Sequence, residues 1–366
     1  MAAIKSLRDR TGAPITECKD ALSGVIAAGT TDGSDAAVME AAIEWLRKKG
    51  ISTAAKKSGR VASEGLVALQ SSAGAASLVE VNSETDFAAK NDLFKALCAS
   101  VSEAALNLAK AAAPHSNGEL ELASLQAASC ADPTASAQVP VSAAVVNVVS
   151  TLRENVQVRR VAGLRVTRGV VGAYVHNAVL TEDGKTDPHP QVRLGRQASI
   201  VSLEVEGGSE PTEELQSLAN KLAMQVVASV PRFVSRAEVP ASLIDAEKAI
   251  IAEQANAAPI HVPGQPLKKA GKPKDASQLA RMVDGKINKW LSEIVLLEQP
   301  FVVAGGGAED AKPQSVQAVL DAEAKKIGGK ISVHAFQRFL VGEGVVSNKG
   351  ADSFAKEVAE KLAKAK

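Results

Sequence analysis

Leu78-Val79-Glu80-Val81-Asn82-Ser83-Glu84-Thr85-Asp86-Phe87-Ala88-Ala89-Lys90-Asn91-Asp92 changes character halfway along. Its first residues are the tail of an apolar strand, its middle is a polar turn, and a helical pattern begins at about Leu93. A strand that runs into a helix through a short turn implies a fold that mixes sheet and helix. Phe87 sits in that turn between an acid and two alanines, in a chain with only seven Phe, two Trp and one Tyr. Read from the residues alone, its ring folds back as a hydrophobic staple on the helix that follows.

Working outward, residues 65–70 and 77–81 read as two strands joined by the small-residue turn Ser71-Ser72-Ala73-Gly74. Leu93, Leu97, Val101, Ala104 and Leu108 then repeat at helical spacing. The pattern recurs further on, with strands at 170–175 and 198–205 and a helix marked by Leu215, Leu218, Leu222 and Val226. The expected fold class is therefore α+β: a core of two related subdomains, each a small antiparallel sheet covered by helices. Between them, residues 112–140 are rich in Ala, Ser and Pro and read as a variable connection. A helix over 141–152 ends at Glu154-Asn155. The polar insert at 181–197 reads as an extended hairpin loop.

The flanks are helical. Residues 1–50 carry three short amphipathic patterns, the last capped by Ser34 or Asp35 and stopped by Gly50. Residues 56–60 read as a linker. Residues 241–256 and 276–294 form two amphipathic helices joined by a Pro- and Lys-rich connector, an antiparallel hairpin suited to a partner surface. Pro300-Phe301-Val302-Val303 re-enters the core, a loop holds Gly305-Gly306-Gly307, a helix over 314–325 precedes a strand at 330–341, and a charged helix spans 352–366. The domain expectation is a helical module (1–55), a core N-subdomain (56–165), a core C-subdomain (166–240 and 295–341), the hairpin (241–294) and a C-terminal module (342–366).

Composition narrows the function classes. Lys plus Arg (42) nearly balances Asp plus Glu (41), so no global basic field draws nucleic acid or an anionic membrane. No apolar run reaches the ~18–20 residues of a membrane span. Cys18, Cys98 and Cys130 are widely spaced and the five histidines are scattered, which argues against a zinc site or a disulfide framework. No nucleophile elbow, zinc-helix motif or phosphate-binding loop is present. Glu84 and Asp86 read as solvation and helix capping, His176 as an ordinary strand residue, and Arg159-Arg160 with Arg165 and Arg168 as a solvated face without interleaved aromatics. Neither a catalytic residue nor a cofactor or metal site is expected.

Five stretches, in order along the chain, carry a resemblance. They are Leu7-Arg8-Asp9-Arg10-Thr11-Gly12-Ala13-Pro14 with Cys18-Lys19-Asp20-Ala21-Leu22; Glu80 to Phe87; Glu154-Asn155-Val156-Gln157-Val158-Arg159-Arg160; Gln299-Pro300-Phe301-Val302; and Arg338-Phe339-Leu340-Val341-Gly342-Glu343-Gly344. Together the set closely resembles the elongation factor Ts family. The resemblance implies a guanine-nucleotide exchange factor for elongation factor Tu, bound in its GDP and nucleotide-free states, with a UBA-like N-terminal module and no cofactor. It also implies that Thr85, Asp86 and Phe87 form a wedge into the GTPase domain that disturbs magnesium and phosphate contacts. Leu152 and His176 fall at further partner contacts, and Arg8, Ile15, Thr16 and Lys19 on the contact surface of the N-terminal module. On that implication Phe87 is exposed rather than stapled.

Departures accompany it. The hydrophobic pair of the N-terminal module is Ile15-Thr16 here, Ala88-Ala89 replaces the more usual Val-Ala, and inserts at 29–35, 112–140, 181–197 and 257–275 lengthen the chain. The form Asn82-Ser83-Glu84-Thr85-Asp86-Phe87, with Leu296-Leu297-Glu298-Gln299-Pro300-Phe301 later, resembles alphaproteobacterial or mitochondrial members. Together with the inserts it suggests a mitochondrial matrix protein without its presequence, with a bacterial cytoplasmic protein as the alternative. Neither nucleic acid nor membrane is an expected partner, and the hairpin at 241–294 is a candidate homodimer surface. The competing reading is a UBA-like scaffold that binds a partner without nucleotide exchange.

Overall fold

The computed structural model describes residues 1–29, 34–114, 116–179, 192–207, 212–256, 276–302 and 314–345. The sequence expectations for the turn at 30–33, the loop tip at 181–191, the connector at 257–275, the glycines at 305–307 and the helix at 352–366 lie outside the described residues.

Helices α1 (Ala2–Thr11), α2 (Ile15–Ala28) and α3 (Asp35–Lys57) share a small core of Leu7, Cys18, Ala21, Leu22, Val25 and Ala42. Gly12, in the left-handed region at φ 66°, ends α1, and its N–H donates to the Arg8 carbonyl at 2.8 Å. The Ser34 hydroxyl caps α3 by accepting from the Ala37 N–H. Gly50 does not stop α3, which runs on to Lys57 and absorbs the start of the expected linker. The glycine is buried where α3 crosses the later helix α7 (Val141–Leu152). A Cβ there would lie 2.7 Å from the Ser150 hydroxyl, so the missing side chain permits a close helix approach.

The body is α+β. Strands β1 (Glu64–Ser72), β2 (Ala75–Ser83), β5 (Val156–Arg165), β6 (Gly169–Ala178), β7 (Val192–Gly207) and β8 (Gly329–Leu340) form one antiparallel sheet; β3 (Ser129–Ala131) and β4 (Gln138–Pro140) form a separate ribbon. The strands of both expected subdomains are joined through β7. On one edge β7 pairs with β1 at Val192–Gly195 and then with β8 from Gln197 onward; on its other edge it pairs with β6. The long β7 also claims 192–197, which the sequence reading assigned to a loop.

Both faces of these strands are covered, which is why β1 and β2 read as near-continuous apolar runs. Leu66, Ala68, Val79 and Val81 pack against α5 (Asp92–Ala111) and α7, with Phe94, Leu97 and Val101 beneath them. Val67, Leu69 and Leu78 face the other half of the sheet, against Val171, Ile200 and Phe339. Helices α8 (Glu213–Ser229) and α11 (Val316–Ile327) cover the C-terminal half, burying Leu215, Leu222 and Leu320. Residues 112–140 are not a featureless connection: they hold α6 (Leu122–Ala127) and the β3–β4 ribbon, and bury Leu125 and Cys130. Burial pushes the Cys130 thiol up to about 11, with the Asp132 charge adding to the effect.

Helices α9 (Ala241–Asn256) and α10 (Ala276–Ile294) pack on each other through Ile251, Ile287 and Leu291. Their base is tied to the body by the Phe233 and Arg232 N–H groups donating to the Ile294 carbonyl, and by the Arg236–Glu298 ion pair. Phe301 is buried in the core as expected, whereas the neighbouring Val302 is exposed.

The largest departure from the sequence reading is β5. The sequence pattern predicts no strand at 156–165 and a solvated face at Arg159-Arg160. Both arginines instead bind Glu80, whose side chain is fully buried. A register shift opposite Glu80 leaves Arg159 as an extra residue in β5. This bulge lets consecutive arginines serve one carboxylate, which a regular strand would forbid by pointing them to opposite faces. Glu80 also accepts from Asn82 Nδ2 at 3.0 Å and from the Gly342 N–H at 2.8 Å. Arg160 donates to the Leu340 carbonyl and lies 4.3 Å over the Phe339 ring. The turn that follows β8 is thereby fixed to β2 and β5. Arg165, from the same basic stretch, donates to the Ala112 carbonyl at 3.0 Å.

Glu80→Ala would leave two guanidinium groups half-buried without their carboxylate. A loss of about 3 kcal/mol of unfolding free energy is expected, with an unchanged denaturant slope. Hydrogen exchange at the Gly342 amide should accelerate together with it.

Candidate functional site

The polar turn after β2 is built from local capping. Thr85 is extended (φ −128°, ψ 157°), and its hydroxyl accepts from the Ala88 N–H at 3.2 Å, starting the short helix α4 (Asp86–Lys90). The Ser83 hydroxyl donates to the Thr85 carbonyl at 2.9 Å. Asn91 ends α4 and caps α5 by accepting from the Leu93 N–H at 2.9 Å. Within one helical turn, Ala88 and Ala89 are buried against the sheet, so Phe87 faces outward. Its exposure is 78%. The staple reading is therefore overturned, because the small alanines take the inward positions that a staple would need.

Asp86 and Lys90, four residues apart, form an ion pair at 2.7 Å, and the Lys90 ammonium lies 5.7 Å from the centre of the Phe87 ring. The Lys90 hydrogen bond holds the Asp86 carboxyl below the ordinary aspartate range. Glu84 faces the other way: its carboxylate accepts from the Asn155 N–H at 2.7 Å and meets Arg60 at 3.4 Å. Neither Glu84 nor Asp86 is arranged as a general acid–base pair, since each is occupied by a different partner.

The other sequence-selected residues lie on the N-terminal helices, at the end of α7 and near the end of β6. Arg8, Ile15, Thr16 and Lys19 are exposed on α1 and α2; Ile15 is an apolar side chain left 54% exposed. Leu152, the last residue of α7, is half-buried against the α5–α7 core. Contacts around α7 link this region to the N-terminal helices: Arg153 pairs with Glu17 of α2 at 3.2 Å, and Lys57 of α3 donates to the Arg153 carbonyl. His176 is exposed near the end of β6, where its Nδ1 meets the Tyr174 hydroxyl at 3.1 Å. It pairs with Gln197 of β7, while Arg196 bridges to Glu64 at the start of β1, which is opposite Ser83. His176 and the Phe87 turn thus lie toward the same end of the sheet, with three strand spacings, roughly 14 Å, between β6 and β2.

A cleft of about 710 Å³ separates the N-terminal helices from the β3–β4 ribbon and α7. Its buried Asp132 is satisfied by Thr134 and Asn147, and Phe87 is not part of its lining. Among the described residues no group of three or more His, Cys, Asp or Glu is arranged to hold a metal ion, and no helix is long and apolar enough to cross a membrane. Glu154, which the sequence marks only as a helix end and the start of a family stretch, has a partner in this region. Its carboxylate accepts from the Thr85 hydroxyl at 2.7 Å and the Thr85 N–H at 3.1 Å.

An exposed aromatic on a turn capped at both ends is the kind of anchor that protein-binding surfaces present. Residues 84–343 match the family described as Elongation factor TS. The elongation factor Ts of Methylorubrum extorquens (strain PA1) is 37% identical over 358 residues, covering 98% of this chain and 97% of the relative. That of Rhodospirillum rubrum is 37% identical over 363 residues, covering 99% and 98%. That of Paramagnetospirillum magneticum is 35% identical over 356 residues, covering 97% and 95%. The chain belongs to the elongation factor Ts family, and its function is that of a translation elongation factor of this type. These three relatives are bacterial, which fits the bacterial alternative and gives the mitochondrial expectation no support.

In a carboxyl-resolved NMR titration, Asp86 should titrate below its ordinary value of 3.8. The Asp86–Lys90 pair should persist above that range and be lost as pH falls through the depressed value. Lys90→Ala should return the midpoint toward 3.8; an unmoved midpoint would show that the pair is not formed in solution.

Proposed function

We propose that this chain binds elongation factor Tu in its GDP-bound and nucleotide-free states and promotes GDP release by inserting Phe87, with Asp86 and Thr85 beside it, into the GTPase domain. The observation that carries this reading is the 78% exposure of Phe87 on a turn capped at both ends. An aromatic held outward by a stiff turn loses little freedom on binding and has its full apolar surface to bury. Leu152 and His176, and Arg8, Ile15, Thr16 and Lys19 on the N-terminal helices, supply the surrounding contacts. The N-terminal helices act as a UBA-like module (1–55), followed by the core halves at 56–165 and at 166–240 with 295–341, and by a C-terminal module at 342–366.

Exchange of this kind is a coupling of two binding equilibria. If the factor binds the nucleotide-free partner more tightly than the GDP-bound one, GDP must weaken the factor by the same ratio. Displacement of magnesium and phosphate contacts by the wedge is how that difference arises. No covalent bond changes, so the chain is an exchange factor and not an enzyme, and it needs neither cofactor nor nucleic acid. The bacterial source of its relatives supports the bacterial cytoplasm as its place of action.

The purified chain should accelerate release of labelled GDP from elongation factor Tu. Phe87→Ala should lower exchange efficiency roughly thirtyfold, from about 2 kcal/mol of lost ring burial, with the melting curve unchanged. Unaltered GDP release with the wild-type chain would sink the exchange reading.

The α9/α10 hairpin is the candidate surface for a second copy of the chain, with Ile250 left exposed on α9. Sedimentation velocity should then give a dimer for the full chain and a monomer once residues 241–294 are replaced by a short linker; a monomer in both cases would rule the surface out.

A further inference from the structure

We infer that Glu154 is a positioning residue for exchange: its carboxylate clamps Thr85 and so fixes the direction in which Phe87 is presented. The inference rests on the exchange reading above. Glu154 lies 69 residues from Thr85 in sequence, yet its two oxygens divide the work between the Thr85 N–H (3.1 Å) and the Thr85 hydroxyl (2.7 Å). The same hydroxyl oxygen accepts from the Ala88 N–H, so one side chain links Glu154 to the first turn of α4, which carries Phe87. With its proton committed to the carboxylate, the Thr85 hydroxyl must offer a lone pair to the helix N-terminus. Charge-assisted bonds of this type are stronger than neutral ones and are sharply directional.

Glu154 is itself a fixed reference point. It follows Arg153, which closes α7 in the left-handed region (φ 59°) with its N–H on the Val149 carbonyl at 2.9 Å. Arg153 is tied to Glu17 and Lys57 of the N-terminal helices, and Asn155 to Glu84 and to the Arg60 carbonyl. Three consecutive residues therefore anchor one helix end to the N-terminal helices on one side and to the wedge turn on the other. Without the clamp, Thr85 keeps its cap on Ala88 but gains rotational freedom, and the Phe87 ring samples directions that do not lead into the partner.

GDP release from elongation factor Tu, measured as a function of factor concentration, tests this in full-length variants. Glu154→Ala should lower the maximal exchange rate about tenfold while the half-saturating concentration changes less than threefold, because the remaining contact surface is intact. Glu154→Gln retains one acceptor and should recover part of the loss. In a Phe87→Ala background, assayed at raised factor concentration to resolve residual exchange, Glu154→Ala should change the rate less than twofold, since it acts through Phe87. A full tenfold loss in that background would overturn the inference, as would unchanged exchange by Glu154→Ala alone. Should Glu154→Ala fail to fold by circular dichroism, Glu154→Gln, which keeps the side-chain volume but not the charge, carries the test: a threefold or greater loss of maximal rate that disappears in the Phe87→Ala background is expected, and an unchanged rate overturns the inference. An inactive wild-type chain refutes the exchange reading; an active wild-type chain with an equally active Glu154→Ala variant refutes only the role of Glu154.

Discussion

The buried carboxylate of Glu80 is the constraint around which the body closes. It continues the row of Ala76 and Leu78 on the strand face where the two halves of the sheet meet. A carboxylate in that position is tolerated only if every oxygen is satisfied, and five donor contacts from Asn82, Arg159, Arg160 and Gly342 satisfy it. Such a cluster gives little or no net stability over a well-packed apolar replacement, because desolvation offsets the attraction. What it supplies is register: a slip of β5 on β2, or of the turn after β8, would strand at least one charge. Three of the stretches that carry the family resemblance, around Glu80, Arg159-Arg160 and Arg338 to Gly344, converge here, so much of that shared sequence is structural.

The same construction holds the Phe87 turn. β2 is anchored at Glu80 by the arginine cluster and ends at Ser83; Glu84 and Thr85 are then caught by Asn155 and Glu154 at the end of α7. β5 begins at Val156, directly after that clamp, and returns to Glu80 through Arg159 and Arg160. The turn is therefore one corner of a closed circuit through β2, the 153–155 segment and β5. Its rigidity comes from polar partners in a second segment, which leaves the ring of Phe87 without a burial task inside the fold.

Fold and site were legible in the sequence to different depths. The amphipathic period of α5, the apolar runs of β1 and β2 and the recurrence of strand, strand and helix are local properties, and they gave the α+β class. β5 was not legible, since the Arg159 bulge interrupts its alternation and two adjacent arginines imitate a solvated surface. Gly50 carried the wrong signal because a glycine that ends a helix and one that admits a neighbouring helix are the same residue until the neighbour, Ser150, is known. Phe87 was ambiguous from its own surroundings; the family resemblance pointed outward, and the burial of Ala88 and Ala89 supplies the physical reason.

By itself, then, the sequence determined the N-terminal helices and the α9/α10 hairpin, the strand-to-helix turn holding Phe87, and the family to which the chain belongs. These follow from periodicity, capping residues and short motifs, all of which act within a few residues. Only the tertiary structure decided that β7 joins both halves into one sheet, that Arg159 and Arg160 serve Glu80, and that Glu154 holds Thr85. Glu80 and Gly342 are 262 residues apart in sequence, and Thr85 and Glu154 are 69 apart. A carboxylate advertises its charge locally but not its partner, which the folded chain selects by bringing a donor from a distant segment to it.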